Sequence, residues 1–287
     1  MSIRKILVPL SGSPSDETVL DTAVTVARDF QAQILGLFTR ADPTDALPYL
    51  SDGVSGQVIE EVMQAATAGA ESACRRAQAL FAEVSARTGF PVVSVEGSTE
   101  RPSLRFMDAT GKRDDLVAAH ARFSDLVVFG EAPESTQAGG FALEAALLNA
   151  GRPVLIAPKA SALKVGGRVA IGWDKSAEAA HAINAAMPFL TRAEAVEVLL
   201  IDKVKCDTVA GHLLSDYLAL HDVEAAVRAV EAGTRPAGAV LLEEAEKTGV
   251  DLLVMGGYGH SRWREFFVGG ATQHVRSHAT IPVLMAH

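Results

Sequence analysis

The chain is poor in cysteine, in aromatic residues and in positive charge, and each shortage excludes something. Two cysteines among 287 residues, Cys74 and Cys206, rule out a disulfide scaffold. Neither belongs to a CxxC pair, so a zinc site has no support in the sequence, and a reducing cytoplasm is the expected compartment. Aromatic residues make up 6%. The interior must therefore be built from Ala, Val, Leu and Ile, the usual composition of helices packed on a parallel sheet. The formal net charge is −9, with no Lys/Arg run to offset it, which argues against a nucleic-acid partner. Long apolar runs are absent too. Ile6–Ser11 is too short for a signal peptide, and nothing approaches the roughly 20 apolar residues of a membrane span. That first run reads as a buried strand.

What is present is repetition. Lys5–Ser13 has a counterpart in Arg168–Ser176, which aligns Ser11 with Asp174. Ser124–Gly130 matches Val250–Gly256, and Arg152–Ala157 matches Ile281–Ala286. Three matches in the same order mark an internal repeat. The spacing between partners shortens after the first match, so the first half carries extra residues between its first and fourth strands. Hydrophobic residues at 48% and charged residues at 21% are enough for packed cores, and the length suits about two domains.

Each half alternates strands with helical segments, which implies βαβ crossovers and a parallel sheet covered on both faces. In the second half, strands are expected near Arg168–Trp173, Ala195–Ile201, Ala225–Val230, Asp251–Met255 and Pro282–Ala286. Helices are expected near Ser176–Leu190, Val209–Leu220, Pro236–Thr248 and Gly270–Ala279. In the first half a helical pattern runs from Gln57 to Thr88, after a Pro/Gly/Ser/Asp-rich loop at Asp42–Gly56. The linker falls at Lys159–Gly167, giving expected domains of residues 1–160 and 161–287.

The most informative segment starts at the end of the fourth strand of the second half: Met255-Gly256-Gly257-Tyr258-Gly259-His260-Ser261-Arg262, then Gly269-Gly270-Ala271 opening the last helix. Glycines allow positive φ and let backbone N–H groups approach a ligand. A helix N-terminus adds unpaired N–H groups and partial positive charge. Together they suit phosphate. Asp174 ends the first strand of the same half. In a sheet of order 3-2-1-4-5, strands one and four are neighbours at the switch point, so Asp174 and the glycine loop face one crevice. An aspartate there suits a ribose hydroxyl or a base amino group.

Gly256, Gly259 and Gly269 reproduce a spacing of glycine, two residues, glycine, nine residues, glycine. With Asp174 and the closing Pro282-Val283-Leu284 strand, the chain resembles the universal stress protein family, in tandem, over both halves. The resemblance implies two flavodoxin-like or Rossmann-like α/β domains, each a five-stranded parallel sheet of order 3-2-1-4-5 with helices on both faces. It also implies ATP or AMP binding in a stress-response module, and pairing through the terminal strands Pro153–Ala157 and Pro282–Ala286. A homodimer of whole chains stays open. By position, Asp174 would contact adenosine and the Ile201 backbone the adenine edge. Gly256, Gly259, Gly269, Gly270 and the neighbouring Ala271 would surround the phosphates, with His260 beside them. Any Mg2+ would arrive with the nucleotide. Gly270 stands where ATP-binding members carry Ser or Thr, which removes a hydrogen bond worth about 1.5–3 kcal/mol to a charged group.

The first half departs further. Ser11 replaces the aspartate, and Glu131-Ala132-Pro133 follows Gly130, with no glycine three residues on. This half reads as a fold that has lost its site. Two other readings stand beside the nucleotide module. One is a tandem scaffold that acts through protein partners. The other is an ATP-using enzyme, since Ser11–Asp16 is loosely similar to the pyrophosphate loop of ATP-dependent synthetases. No general base is evident, so slow ATP hydrolysis is the most that is expected. His274 and His278 are spaced for a shared metal but read as surface histidines, and Trp173 and Trp263 read as packing residues.

Overall fold

The computed structural model describes residues 2–41, 56–94, 100–130, 142–201, 208–258 and 270–287. The strands are β1 (Lys5–Leu10), β2 (Gln33–Arg40), β3 (Ser103–Thr110), β4 (Leu126–Gly130), β5 (Val154–Ala157), β6 (Arg168–Gly172), β7 (Ala195–Ile201), β8 (Ala225–Val230), β9 (Leu252–Gly256) and β10 (Val283–Ala286). The helices are α1 (Asp16–Phe30), α2 (Gly56–Thr88), α3 (Arg113–Ala121), α4 (Ala177–Leu190), α5 (Thr208–Ala219), α6 (Ala237–Lys247) and α7 (Gly270–His278), with a π-helical turn at Ala145–Asn149. The expected spans are met to within a residue or so. Gly56, read as the end of a loop, is the first residue of α2.

All ten strands form one sheet of order β3-β2-β1-β4-β5-β10-β9-β6-β7-β8. The order repeats, since β8-β7-β6-β9-β10 from one edge matches β3-β2-β1-β4-β5 from the other. Neighbours are parallel except at the centre, where β10 runs antiparallel to β5 with Leu284 opposite Leu155. Strands of Val, Ile and Leu are buried on both faces, as a parallel sheet requires. Side chains such as Ile6, Val8 and Ile171 join α1, α2, α4 and α5 in one core layer. Leu7, Ala170 and Leu253 join α3, α6, α7 and the π-helical turn in the other.

The repeated Ser/Val-Asp-Leu segment has a mechanical reason. Asp125 Oδ2 accepts from the backbone N–H groups of Arg4 and Lys5, at 2.8 and 2.9 Å. Asp251 Oδ1 accepts from those of Gly166 and Arg168, at 2.8 and 3.1 Å. Each aspartate ties the start of the fourth strand of its half to the start of the first.

The two halves also meet beneath the sheet joint. Phe30 packs edge-on against Phe189, with centroids 4.9 Å apart, and the Arg192 guanidinium lies 4.9 Å over the Phe30 ring. Arg192 Nη1 donates to the Asp29 carbonyl at 2.6 Å.

An ionic network closes the outer strands β7 and β8. Glu244, on α6, is buried and accepts from Arg228 and from Lys247 Nζ. Glu197 accepts from Arg228 Nη2 at 3.2 Å and from the Thr248 hydroxyl at 2.6 Å. The hydrogen bond from Lys247, then that from Arg228, holds the Glu244 carboxyl below its ordinary pKa. A lowered folded-state pKa contributes stability that is whole above the unfolded value of about 4.3 and is lost as the pH falls through the folded value. Glu244→Gln should cost about 1–2 kcal/mol at neutral pH and flatten the acid limb of stability. Urea titrations at stepped pH measure this. A variant with the wild-type acid limb would contradict the assignment.

Candidate functional site

The candidate site residues fall at the carboxyl ends of β6, β7 and β9. Gly172 pairs with Leu199 of β7 and with Met255 of β9, and Trp173 N–H donates to the Leu199 carbonyl at 3.0 Å. Asp174 comes two residues after the end of β6, Ile201 is the last residue of β7 and Gly256 the last of β9, so the three lie at or just beyond the carboxyl ends of adjacent strands. Ile201 ends β7, is half-buried, and packs with the α6–α7 core layer.

Asp174 is exposed. Its Oδ1 accepts from the Ser176 backbone N–H at 2.9 Å and from the Ser176 hydroxyl at 2.6 Å. The Ser176 side chain in turn caps α4, accepting from Ala179 N–H at 3.1 Å. The carboxylate is thereby oriented by its own turn, and Oδ2 has no partner among the described residues. Lys175 between them adopts positive φ (68°).

Gly256 is where β9 meets the N-terminus of α4. A Cβ there would lie 2.7 Å from Ala179 N and 2.9 Å from the Glu178 carbonyl carbon. Only glycine lets the helix N-terminus close onto the strand end. Gly257 continues the chain, donating its N–H to Ala286 O at 2.9 Å, while its carbonyl lies 3.2 Å from His287 Nδ1. Tyr258 takes a left-handed φ of 61°. Its hydroxyl accepts from Arg276 Nη1 at 3.1 Å, and burial raises its pKa. The base of the glycine loop is thus anchored by the C-terminal strand and by α7. Sequence reading missed Tyr258, Arg276 and His287 in this role, and no local pattern marks them. Gly259, His260 and Gly269 lie outside the described residues. Gly270 and Ala271 form the start of α7.

At the corresponding position in the first half a carboxylate enters by another route. Asp16, on the first turn of α1, is 5% exposed. It accepts from Gly12 N–H at 2.7 Å, from Ser11 N–H at 3.0 Å and from the Ser11 hydroxyl at 2.8 Å. The backbone N–H groups at the end of β1 are therefore satisfied from within. Arg113 reaches over from α3 towards the Pro9 carbonyl (3.5 Å). Burial pulls its guanidinium below the ordinary range, and the Asp16 charge opposes that. Gly12 has φ 73°, and a Cβ on it would sit 2.2 Å from the Ala73 carbonyl of α2. Glu131 lies outside the described residues.

Of the other sequence candidates, His274 and His278 stack with centroids 4.3 Å apart, and His278 Nδ1 lies 2.9 Å from the His274 carbonyl. Burial, then the neighbouring His278, lowers the His274 pKa. Among the described residues no three His, Cys, Asp or Glu side chains gather as a metal site. Trp173 is half-buried and packs on the α4–α5 side of the core. Among the described residues no helix is long and apolar enough to cross a membrane.

The sequence profile of the universal stress protein family matches residues 126–287. The chain belongs to the universal stress protein family. Among solved structures it is similar to a universal stress protein from Archaeoglobus fulgidus DSM 4304, at 14% identity and a TM-score of 0.70, covering 99% of this chain and 96% of that one. A putative universal stress protein from Pseudomonas aeruginosa UCBPP-PA14 aligns at 16% identity and a TM-score of 0.58, covering 99% of this chain and 93% of that one. At such identities the likeness concerns the fold, an α/β sheet covered by helices. No curated protein sequence matches the chain.

Proposed function

We propose that the chain is a nucleotide-binding module of regulatory rather than catalytic character. It would be built as two universal stress protein domains, residues 1–160 and 161–287, and would hold ATP or AMP in the second alone. The observation that supports this reading is that β6, β7 and β9, whose carboxyl ends lead to Asp174, Ile201 and the glycine loop, are neighbours in the sheet, with the N-terminus of α4 closed onto Gly256. The Asp174 carboxylate, whose Oδ2 has no partner among the described residues, suits ribose hydroxyls, the Ile201 backbone suits the edge of a purine, and the glycine loop with the start of α7 suits phosphates. The first domain is excluded in this reading because Asp16 already takes the N–H groups of Ser11 and Gly12.

The test begins with natively purified protein, denatured to release any nucleotide for mass spectrometry. Calorimetric titration with ATP and AMP then compares wild type with Asp174→Ala and Ser11→Ala. One equivalent per chain is expected. Affinity should fall about tenfold in Asp174→Ala, the loss of one hydrogen bond to a charged group, and stay unchanged in Ser11→Ala. No binding at millimolar nucleotide, or binding indifferent to Asp174, would sink the reading.

A further inference from the structure

The two halves meet at the β5–β10 seam, where Leu155 lies opposite Leu284. Each seam strand follows a helical segment, β5 the π-helical turn and β10 helix α7. Both segments pack on the same face of the sheet. Leu143, Ala146 and Leu147 of the first half share one core layer with Val275, Val283 and Met285 of the second, and Tyr258 packs against that layer.

Tyr258 stands where the glycine loop leaves the sheet. Gly257 before it is tied to the last strand through its N–H and the Ala286 carbonyl. Tyr258 itself has a left-handed φ of 61°, which a tyrosine keeps only where its surroundings hold it. Its hydroxyl is held by groups from different halves. Arg276, on α7, donates to it from Nη1 at 3.1 Å. Glu144, half-buried just ahead of the π-helical turn, accepts a hydrogen bond from it. Burial raises the tyrosine pKa, the Arg276 charge opposes that, and the Glu144 charge adds to it. Arg276 Nε is buried with no partner among the described residues, so the guanidinium is short of partners on its own side of the seam. Glu144 supplies the opposite charge through one shared hydroxyl. Hydrogen bonds chained between two charges strengthen each other away from water, and removing one end leaves the other charge uncompensated.

We propose that Glu144 of the first half is a positioning residue for the nucleotide site of the second, acting through Tyr258. It touches no nucleotide. It fixes the tyrosine ring, and with it the direction in which the chain leaves Gly257 at the base of the glycine loop. A loop ordered beforehand binds more tightly, because the ligand need not supply the ordering. This role rests on the nucleotide reading above, and on it the second half does not complete its site alone.

Two measurements on the full chain test the role. Urea denaturation of Glu144→Ala, Tyr258→Phe and the double variant reads the contact without any ligand. Each single variant should lower the midpoint, and the double should fall no further than the lower single, the non-additivity of residues in contact. Additive shifts, or none, overturn the contact. ATP titration of the same variants, at a temperature where all are folded, reads the positioning. Each single variant should weaken ATP about fivefold, and the double by about the same factor. Glu144→Gln keeps an acceptor oxygen and should restore affinity to within about twofold. A residue that only held the fold together would lower the midpoint and leave the affinity of the folded chain unchanged. That result overturns the proposal, as does an affinity that Glu144→Gln fails to restore. A wild type that binds no ATP at millimolar concentration sinks the nucleotide reading and the positioning role with it. Wild-type binding that none of the variants changes sinks the positioning role alone.

Discussion

Replacing Gly256 by valine is expected to abolish ATP binding and to destabilise the fold by about 3 kcal/mol, the upper part of the range for overpacking. The cause is steric and local. The first added carbon would meet backbone atoms of α4, Ala179 N at 2.7 Å and the Glu178 carbonyl carbon at 2.9 Å. Backbone cannot step aside as a flexible side chain does, so the N-terminus of α4 must lift from the end of β9. Asp174 would move with it, because Ser176 both holds that carboxylate and caps the helix. The neighbouring glycine is the control. A Cβ on Gly257 would lie 3.4 Å from Met285 Cβ and 3.7 Å from Ala286 O, so Gly257→Ala should cost less than about 1 kcal/mol and keep binding. Calorimetry and urea denaturation of the two variants decide the matter. If Gly256→Val bound ATP as wild type does, the crevice described here would not be the site.

Asp16→Ala should be nearly as damaging to stability, by about 3 kcal/mol, and should leave nucleotide binding intact. The substitution strands the buried backbone N–H of Gly12, the half-buried one of Ser11, and a hydroxyl that now share one carboxylate. It also removes the negative charge that faces the half-buried Arg113. The loop is confined on its far side, where Gly12 abuts the Ala73 carbonyl of α2 and its own carbonyl accepts from Arg76 Nε at 2.8 Å. Little relaxation is available to bring in new partners. A loss below about 1 kcal/mol in denaturant titration would mean that water replaces the carboxylate and that the turn is not held from within. Loss of ATP binding in this variant would instead show that the first half takes part in the site.

Much of this was legible in the sequence because its causes are local. Strands Ala195–Ile201 and Ala225–Val230 are short apolar runs bounded by polar turns. The long α2 was legible from sustained helical periodicity, with no proline between Gln57 and Thr88. The repeated aspartates Asp125 and Asp251 were visible as a pattern, although only the structure supplies their reason, the tie between the starts of two strands. The last helix of the first half was less legible. It includes a π-helical turn at Ala145–Asn149, where the Ala150 N–H reaches back to Ala145 O rather than one residue nearer.

The loss of the first-strand aspartate at Ser11 could be read directly, but its compensation by Asp16 could not. The two residues are joined by a turn whose geometry depends on α2 pressing against Gly12. The anchoring of the glycine loop by Tyr258, Arg276 and His287 likewise joins residues brought together only by packing. By itself the sequence determined the order of elements, the repeat and the placing of a glycine-rich turn after β9, since these follow from periodicity and backbone freedom within a few residues. The tertiary structure decided the antiparallel sense of the β5–β10 seam, whose pairing the family resemblance had implied, and that Asp16 fills the first crevice. Those outcomes depend on the pairing of two strand edges far apart in the chain and on the packing of α2 against the turn that brings Asp16 to Ser11 and Gly12.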